Sequence, residues 1–341
     1  MQQLSQGRHP HCINFLMAKK INTLLSGVVM RASLFPRNVF LIIIALMFLS
    51  TVNLAAQTGN GTGTTSGEIL NIGIGSRASS LGGAFMAISD DATAPFWNPS
   101  GLSSIGTVEF QFGYSSWYQD ISVNYLGAVI PVTSKLSTGI GVTYVDYGSF
   151  QGYTRDDVPT GDFSGHNAVF SLSLAYQVSR NLSLGLTGKG ITEKIEESSA
   201  SGVAFDVGAI FNTGIFSFGL AAKNVGSGLK YEYENAPLPT KLAAGIGVKT
   251  FDGRLRFAGD INIPKDGLVS LHQGVEYLYM KTIFLRGGYV HNFSKAVSSE
   301  RNGLVYGFGL NILAGSIDYS YIPNDNLGGI HKVDLSLRLN K

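Results

Sequence analysis

The chain has 341 residues, and its 25 lysines and arginines nearly balance its 23 aspartates and glutamates, so its charge does not favour nucleic acid as a partner. Only 14% of the residues are charged, whereas a soluble globular domain usually carries about 25%. The 43 glycines follow no Gly-X-Y period, which excludes collagen, and the single cysteine, Cys12, excludes a disulfide scaffold or a cysteine-based metal site. These proportions favour a glycine-rich, charge-poor β-protein with one large domain.

Residues 1–56 are predicted to form a secretory signal peptide with an N-terminal extension. The run Val39–Leu49 is apolar throughout, Arg37 precedes it, and small residues up to Ala56 follow it. A basic flank, a short apolar core and a small-residue cleavage site define such signals, so cleavage is expected near Ala56. An uncleaved membrane anchor is the alternative, but the run is shorter than the ~20 residues that a helical span needs.

Two internal methionines bear on where this signal starts. Met17 or Met30 would each begin a more ordinary signal sequence, so the residues before them are interpreted as a misassigned start. The stretch 57–67, rich in Gly, Thr and Ser, is predicted to be a flexible leader.

The segment 68–105 lacks strand alternation and carries small residues at close spacing, which predicts a short, tightly packed helix and then a turn. Asp90 and Asp91 follow the helical stretch; they would either cap a turn, the favoured interpretation, or hold a cation. Asn-Pro-x-Gly is a turn signal, because the Asn side chain hydrogen-bonds to the nearby backbone, Pro fixes φ, and Gly allows the chain to leave the turn in conformations that other residues avoid. The residues assigned to this hatch and turn motif are Gly82, Gly83, Asp90, Asp91, Trp97, Asn98, Pro99 and Gly101.

From Val108 onward the chain alternates apolar and polar residues with the period of two that is typical of β-strands. Most of the predicted strands are about 9–12 residues long, the length with which a tilted strand crosses a bilayer. Their even number suits a bacterial barrel whose two ends lie on one side. Fourteen strands are predicted, with starts near Val108, Ser122, Leu136, Asn167, Leu182, Gly202, Ile215, Lys241, Arg254, Ser270, Thr282, Gly303, Gly315 and His331.

The charged residues of these strands share one face, except for Asp146 at the end of its strand, and the other face is apolar. A charge on the lipid face at mid-bilayer costs about 2–4 kcal/mol, so lipid would enforce this sorting. A soluble β-sandwich also sorts its faces, but it would carry more Lys and Glu outside. Long connections, such as the third, Gly148–Gly165, alternate with tight turns, as in an outer-membrane barrel. The charges assigned to the lumen include Arg254, Arg256, Asp260, Glu276, Arg286 and Asp318.

Residues 106–341 are therefore predicted to form an all-β protein, a 14-stranded antiparallel transmembrane β-barrel in the outer membrane of a diderm bacterium. The lumen of such a barrel is too wide for wall side chains alone to fill. The segment 68–105 is predicted to fold into this lumen as an N-terminal hatch. A periplasmic tail is the alternative, but the apolar side chains of Phe85, Met86 and Trp97 argue against free exposure.

The runs Gly75–Ala78, Leu81–Phe85, Ser89–Ala92 and Phe96–Leu102 closely resemble the N-terminal signature of the PorV/PorQ family, which is similar to the FadL long-chain fatty acid transporters. The resemblance covers essentially the mature chain and implies a fourteen-stranded outer-membrane barrel with an N-terminal hatch. It implies that PorV-like members serve type IX secretion by holding secreted cargo, whereas FadL-like members pass hydrophobic molecules through the wall. The signature does not decide between these subfamilies.

Two functions are therefore open. The preferred one is a type IX secretion-associated component that binds or shuttles secreted cargo, or binds other secretion components, because mixed charges in a plugged lumen would pair with each other rather than line a fatty-acid path. The alternative is a FadL-like transporter of hydrophobic small molecules, with Gly303–Gly309 as the first place to seek an opening in the wall. Outer-membrane lipid is an expected partner in both. No catalytic motif, histidine pair or cofactor motif occurs in the mature chain, so neither an enzyme nor a cofactor or metal is expected.

Overall fold

The structure is a computed structural model that describes residues 65–232, 234–293, 303–324 and 328–339. The predicted signal peptide and most of the predicted leader lie outside these described residues, as do parts of two loops. Within the described ranges, no helix combines the length and the apolar character needed to cross a membrane.

Fourteen long antiparallel strands close into a barrel. The long strands are β1 (Val108–Ser116), β2 (Ser122–Pro131), β3 (Leu136–Tyr153), β4 (Pro159–Gln177), β5 (Leu182–Ile195), β6 (Ser198–Thr213), β7 (Phe216–Gly226), β10 (Lys241–Thr250), β11 (Leu255–Pro264), β12 (Ser270–Tyr279), β13 (Ile283–Asn292), β14 (Gly303–Ile312), β15 (Gly315–Ile322) and β16 (Ile330–Leu339). The two-residue strands β8 (Leu229–Lys230) and β9 (Asn235–Ala236) lie in the connection after β7. Each long strand pairs with the next long strand, and β1 pairs with β16, which closes the ring. The predicted fold class and strand number are confirmed.

Strands β3 to β6 are longer than the sequence pattern predicted, with 18, 19, 14 and 16 residues. Most of the expected third loop, Gly148–Gly165, is a continuation of the β3–β4 hairpin, which turns at residues 154–158. The pairing shifts between Asp146 and Ser149, where Gly148 has a φ of 74°. Beyond this shift, glycines and polar residues interrupt the alternation, so the sequence signal of a strand is lost although the pairing continues.

The outside of the barrel is apolar and the inside is polar, which is the reverse of a soluble protein. Along β1, Phe112 and Tyr114 are each 52% exposed, whereas Glu109 and Gln111 are 2% and 4% exposed. Exposed apolar surface costs about 25 cal/mol per Å² in water, so a continuous apolar exterior is stable only against lipid. The barrel wall is therefore built to lie in a membrane, with its polar side chains in the lumen.

The two ends of the barrel differ in their connections. At one end, here called the turn rim, the strands are joined by two to four residues, at 132–135, 178–181, 214–215, 251–254, 280–282 and 313–314. The other end, here called the loop rim, carries the longer connections, of which 227–240 is the longest. The β5–β6 connection departs from this pattern, because both strands extend and leave only residues 196–197 between them.

The described residues before β1, 65–107, lie inside the barrel and are here called the hatch. It contains the helices α1 (Ser76–Ser80) and α2 (Ala94–Trp97) and the 3-10 helices Glu68–Asn71 and Pro99–Ser104. The predicted short helix is thus a single turn. It ends at Leu81 because Gly82 and Gly83 follow with φ of 69° and 80°, a left-handed conformation that glycine adopts without steric cost.

Candidate functional site

The hatch fills the lumen by lying directly against the wall at glycines that point inward. A Cβ atom added at Gly274 would lie 2.7 Å from Leu81 O, and one added at Gly307 would lie 2.7 Å from Ser80 Cβ. Real Cβ atoms do not approach other atoms this closely, so only glycine permits the contact. The wall glycines that contact the hatch in this way are Gly185, Gly208, Gly219, Gly245, Gly247, Gly274, Gly288 and Gly307.

Asn98, in the predicted turn motif, joins two parts of the hatch to the wall. Its Oδ1 accepts hydrogen bonds from Ser100 N (3.2 Å) and Ser100 Oγ (2.7 Å), which caps the 3-10 helix that begins at Pro99. Its Nδ2 donates to Met86 O (2.9 Å) in the hatch and to Ala209 O (3.3 Å) on β6. Both ends of this buried amide are therefore bonded, and the chain direction after α2 is fixed.

The other residues of the predicted motif also lie in close contacts within the hatch. Trp97 Nε1 donates to Ile74 O at 2.9 Å. Gly83 lies against the Trp97 ring, and Gly101 lies against the Ser89 backbone, where a side chain would collide. Residues 97–101 span the end of α2, the capping residue Asn98 and the start of the 3-10 helix Pro99–Ser104 that leads into β1.

Three buried carboxylates on the wall accept hydrogen bonds from backbone N–H groups of the hatch. Asp260 accepts from Phe85 N and Met86 N (both 2.7 Å), Glu109 accepts from Ala92 N (3.0 Å), and Asp334 accepts from Ser76 N. Hydrogen bonds from N–H groups to a carboxylate are stronger than those between neutral groups. The wall carboxylates thus accept hydrogen bonds from backbone N–H groups that have no partner within the short helices and turns of the hatch.

Arg77 connects the hatch to the wall near the turn rim. Its guanidinium contacts Asp90 Oδ1 at 2.6 Å and Asp91 Oδ2 at 3.1 Å within the hatch, and Glu276 Oε2 at 2.9 Å on β12. Burial alone would raise the pKa of Asp90, but the charges of Arg77 and Arg256 outweigh burial and hold that pKa well below its ordinary value. Asp90 is therefore a carboxylate that is ionised because its cationic partners are close.

Asp91 caps a turn, whereas Asp90 faces Arg77 and Arg256. Asp91 Oδ1 accepts from Thr93 N (3.0 Å) and Thr93 Oγ1 (2.5 Å), while Oδ2 faces Arg77. Both oxygens of Asp91 are thus engaged by donors of the chain.

Four of the predicted lumen charges, Arg256, Glu276, Arg286 and Asp318, lie together, and Asp260 lies apart from them against Phe85 N and Met86 N. Arg256 contacts Asp90 at 2.8 Å, Arg286 contacts Glu276 at 2.8 Å, and Arg286 also contacts Asp318. Arg254 was predicted to face the lumen, but it lies in the tight turn between β10 and β11, and its side chain is exposed. The alternation of β11 begins one residue later than expected, so the turn takes Arg254 out of the wall.

Between the hatch and the turn rim, these charges line a cavity of about 290 Å³. Its lining includes Arg77, Asp91, Glu109, Arg256 and Asp318. Oppositely charged groups alternate around it, so the turn-rim half of the lumen is hydrophilic.

Towards the loop rim the lumen under β2 to β6 is apolar, which the sequence analysis did not foresee. The inward side chains of Val145, Val169 and Ile191 are buried there against Ile69 and Leu70 of the hatch. The signal in the sequence was an apolar residue at a position of the polar face, such as Ile191 two residues after Lys189. The whole cluster comprises Ile69, Leu70, Ile74, Val123, Tyr125, Val145, Val169, Ile191, Ala200, Ala204, Leu229 and Leu238.

A buried polar group lies beside this apolar cluster, at an irregularity in the wall. Lys189 Nζ contacts Asp206 Oδ2 at 2.6 Å and donates to Asn224 Oδ1 at 2.9 Å. The β6–β7 register shifts between Phe205 and Val207, and Asn224 has a φ of 58°. By contrast, Gly303–Gly309, where an opening was expected, is paired with β13 along its whole length. The β6–β7 seam is therefore irregular, as is the outer part of the β3–β4 pair.

Solved structures with the same fold are outer-membrane channels. The monoaromatic hydrocarbon channel CymD superposes with a TM-score of 0.62 and 15% identity over 79% of this chain and 98% of its own. The Pseudomonas putida toluene transporter TodX has a TM-score of 0.60 and 13% identity over 79% and 99%. A Pseudomonas aeruginosa FadL homologue has a TM-score of 0.53 and 12% identity over 78% and 98%.

No protein-family model matches the sequence, and no curated protein matches it significantly. At identities of 12–15%, the structural similarity establishes the fold and leaves the function to the site. The chain therefore has the fold of the outer-membrane hydrocarbon channels, a fourteen-stranded barrel with the N-terminal segment inside.

Proposed function

We propose that the protein is a conduit, without enzymatic activity, for hydrophobic small molecules across the outer membrane. The observation that supports this most is the apolar cluster in the loop-rim half of the lumen. Pockets that take hydrophobic ligands are lined mainly by apolar side chains with a few polar groups. Here the polar groups are Lys189, Asp206 and Asn224, which lie beside the cluster at the β6–β7 seam.

The mixed charges of the lumen, which in the sequence argued against a path for hydrophobic molecules, are a weaker objection to a conduit in the structure. The mixed charges do pair with each other, but the Arg77 and Arg286 pairs lie in the turn-rim half. None of the residues in these pairs lies on β2 to β6, the strands that supply most of the wall side chains of the apolar cluster. A hydrophobic molecule entering from the loop rim would therefore meet apolar side chains of the wall and of the hatch.

The comparisons favour this conduit over the type IX secretion component that the sequence analysis preferred. The similar structures are described as hydrocarbon channels and a toluene transporter. The PorV/PorQ-like signature at 75–102 forms the hatch, and a hatch serves a conduit as well as a secretion component. A deletion strain separates the two functions: we expect it to secrete proteins normally and to take up hydrophobic molecules more slowly.

Ile191→Asn tests the role of the apolar cluster directly. We expect cells with this variant to take up radiolabelled toluene or a long-chain fatty acid several-fold more slowly at equal amounts of folded protein, because burial of an amide without a partner is unfavourable. Leu186→Asn, on the lipid-facing side of the same strand, is the matched control and should leave uptake unchanged. Equal uptake by both variants, together with lost secretion in the deletion strain, would favour the secretion component.

A further inference from the structure

The lipid-facing surface of β5 lacks side chains at two successive outward positions. The outward residues of this strand are Leu184 and Leu186, then Gly188 and Gly190, then Thr192. A Cβ atom added at Gly190 would meet nothing within 4 Å, so space remains open there. The result is a groove in an otherwise continuous apolar surface.

The groove has a volume of about 460 Å³ and is bordered by side chains of the neighbouring strands. Phe170 on β4 and Val203 on β6 pair with Gly190 on either side, and Val142 on β3 pairs with Phe170. Phe170 and Val203 are 55% and 52% exposed. The borders are therefore apolar and accessible from the membrane.

Polar side chains lie on the same outward face of the wall, one outward position closer to the loop rim than Thr192. Lys194 follows Gly190 by four residues, which is about 13 Å along the strand, and it pairs with His166 of β4. Lys194 is exposed and, among the described residues, forms no ion pair. Asp146 lies in the same row, but its Oδ1 accepts from Gly148 N at 2.9 Å.

We propose that this groove binds one acyl chain of an outer-leaflet lipid whose headgroup carries a net negative charge. The acyl chain lies along Gly190 between Phe170 and Val203, and Lys194 and His166 contact the anionic headgroup. The loop rim faces outward in barrels of this kind, which assigns the site to the outer leaflet. A lysine near the end of a membrane-spanning segment extends its ammonium towards the headgroups while its methylene stem stays in apolar surroundings. The site does not depend on the proposed transport function.

The test uses the full chain purified in detergent and two lipids with the same acyl chains, dimyristoylphosphatidylglycerol and dimyristoylphosphatidylcholine. Native mass spectrometry counts the lipid retained. We expect one retained lipid, with the anionic lipid preferred about fivefold. Gly190→Leu should lose the retained lipid, because its side chain fills the groove. Lys194→Gln should keep one lipid but lose the preference for the anionic headgroup.

Gly287→Leu is the matched control, because Gly287 also faces outward and an added Cβ there meets only Val275 Cγ1, at 4.0 Å. This variant should retain lipid as the wild type does, and heat-modifiable migration on a gel verifies that each variant is folded. Unchanged lipid retention in folded Gly190→Leu would overturn the proposed groove. Equal retention of the two lipids by the wild type would overturn the proposed contact with an anionic headgroup.

Discussion

The two halves of the lumen hold the same hatch by different means. Towards the turn rim, Arg77, Asp90 and Glu276 hold it through charge, and the cavity there is hydrophilic. Towards the loop rim, Ile69 and Leu70 hold it through apolar packing. Buried ion pairs depend on exact partners, whereas apolar contacts depend on area. The comparison teaches that a hydrophobic ligand could compete for the apolar half while the charged half keeps the hatch in the barrel.

The largest effect is expected from a substitution in the barrel wall, which surrounds both halves of the lumen. Gly288→Val places a side chain where Gly82 N and Leu81 C lie, so it should displace the hatch backbone. The free energy cost should exceed the about 1–3 kcal/mol of ordinary overpacking. Single-channel conductance in planar bilayers should rise in the variant. Gly287→Val, one residue away on the lipid-facing side, should conduct as the wild type does. If both variants remain closed, the hatch does not depend on this glycine contact.

Removal of the central cation should specifically weaken the charged half. Arg77→Met leaves Asp90 with Arg256 alone and Glu276 with Arg256 and Arg286, so the cost should be at most the about 3–5 kcal/mol of a broken buried pair. The measurement is the urea midpoint at which protease first cleaves within residues 76–91. Arg254→Met removes an exposed arginine from a turn and serves as the control. A similar midpoint for the two variants would contradict the role assigned to Arg77.

Truncation of a buried apolar side chain should weaken the other half alone. Leu70→Ala removes a side chain that is 1% exposed, at a cost of about 2–5 kcal/mol. Hydrogen exchange should become faster for residues 66–74 and stay the same for residues 76–91. Leu220→Ala, on the lipid-facing side and 62% exposed, is the control. Faster exchange throughout the hatch would show that the two halves are coupled.

The smallest effect is the dependence of the charged half on pH. Because the pKa of Asp90 is lowered in the folded protein, its contribution to stability is complete above the ordinary carboxyl pKa of about 4 and is lost as the pH falls below that value. The urea midpoints of the wild type and of Asp90→Asn should differ at pH 7 and converge in acid. Asp252→Asn, in the exposed β10–β11 turn, should show no such convergence. A constant difference across this range would exclude Asp90 as the titrating group.

Much of the fold could be predicted because lipid and lumen sort residues with a period of two. The predicted starts of β1, β2, β3 and β5 agree with the structure, since lipid-facing residues there alternate with polar ones. The starts of β4 and β6 were placed too late, because their outer parts extend beyond the apolar band where alternation fades. Arg254 shows the same limit at a tight turn, where one residue decides between wall and solvent.

The hatch motif was recognisable because its residues have local reasons to be there. Asn98 caps the turn that follows it, and Gly82 and Gly83 take left-handed conformations that other residues avoid. Their wall partners were not recognisable, because Ala209 and Tyr289 are more than 100 residues away in the chain.

The sequence by itself determined that the chain forms a closed, membrane-facing barrel, because polar residues that face the lumen and apolar residues that face lipid alternate along each strand. Only the tertiary structure decided which inward glycines contact the hatch and that the charges and the apolar side chains of the lumen separate into two halves. The physical reason is that the face on which a side chain lies is set locally by the alternation within its strand. Its height along the barrel axis depends on the registers of all fourteen strands together. Lys189 and Ile191 share one inward face, yet one joins a buried ion pair with Asp206 and the other packs against the hatch.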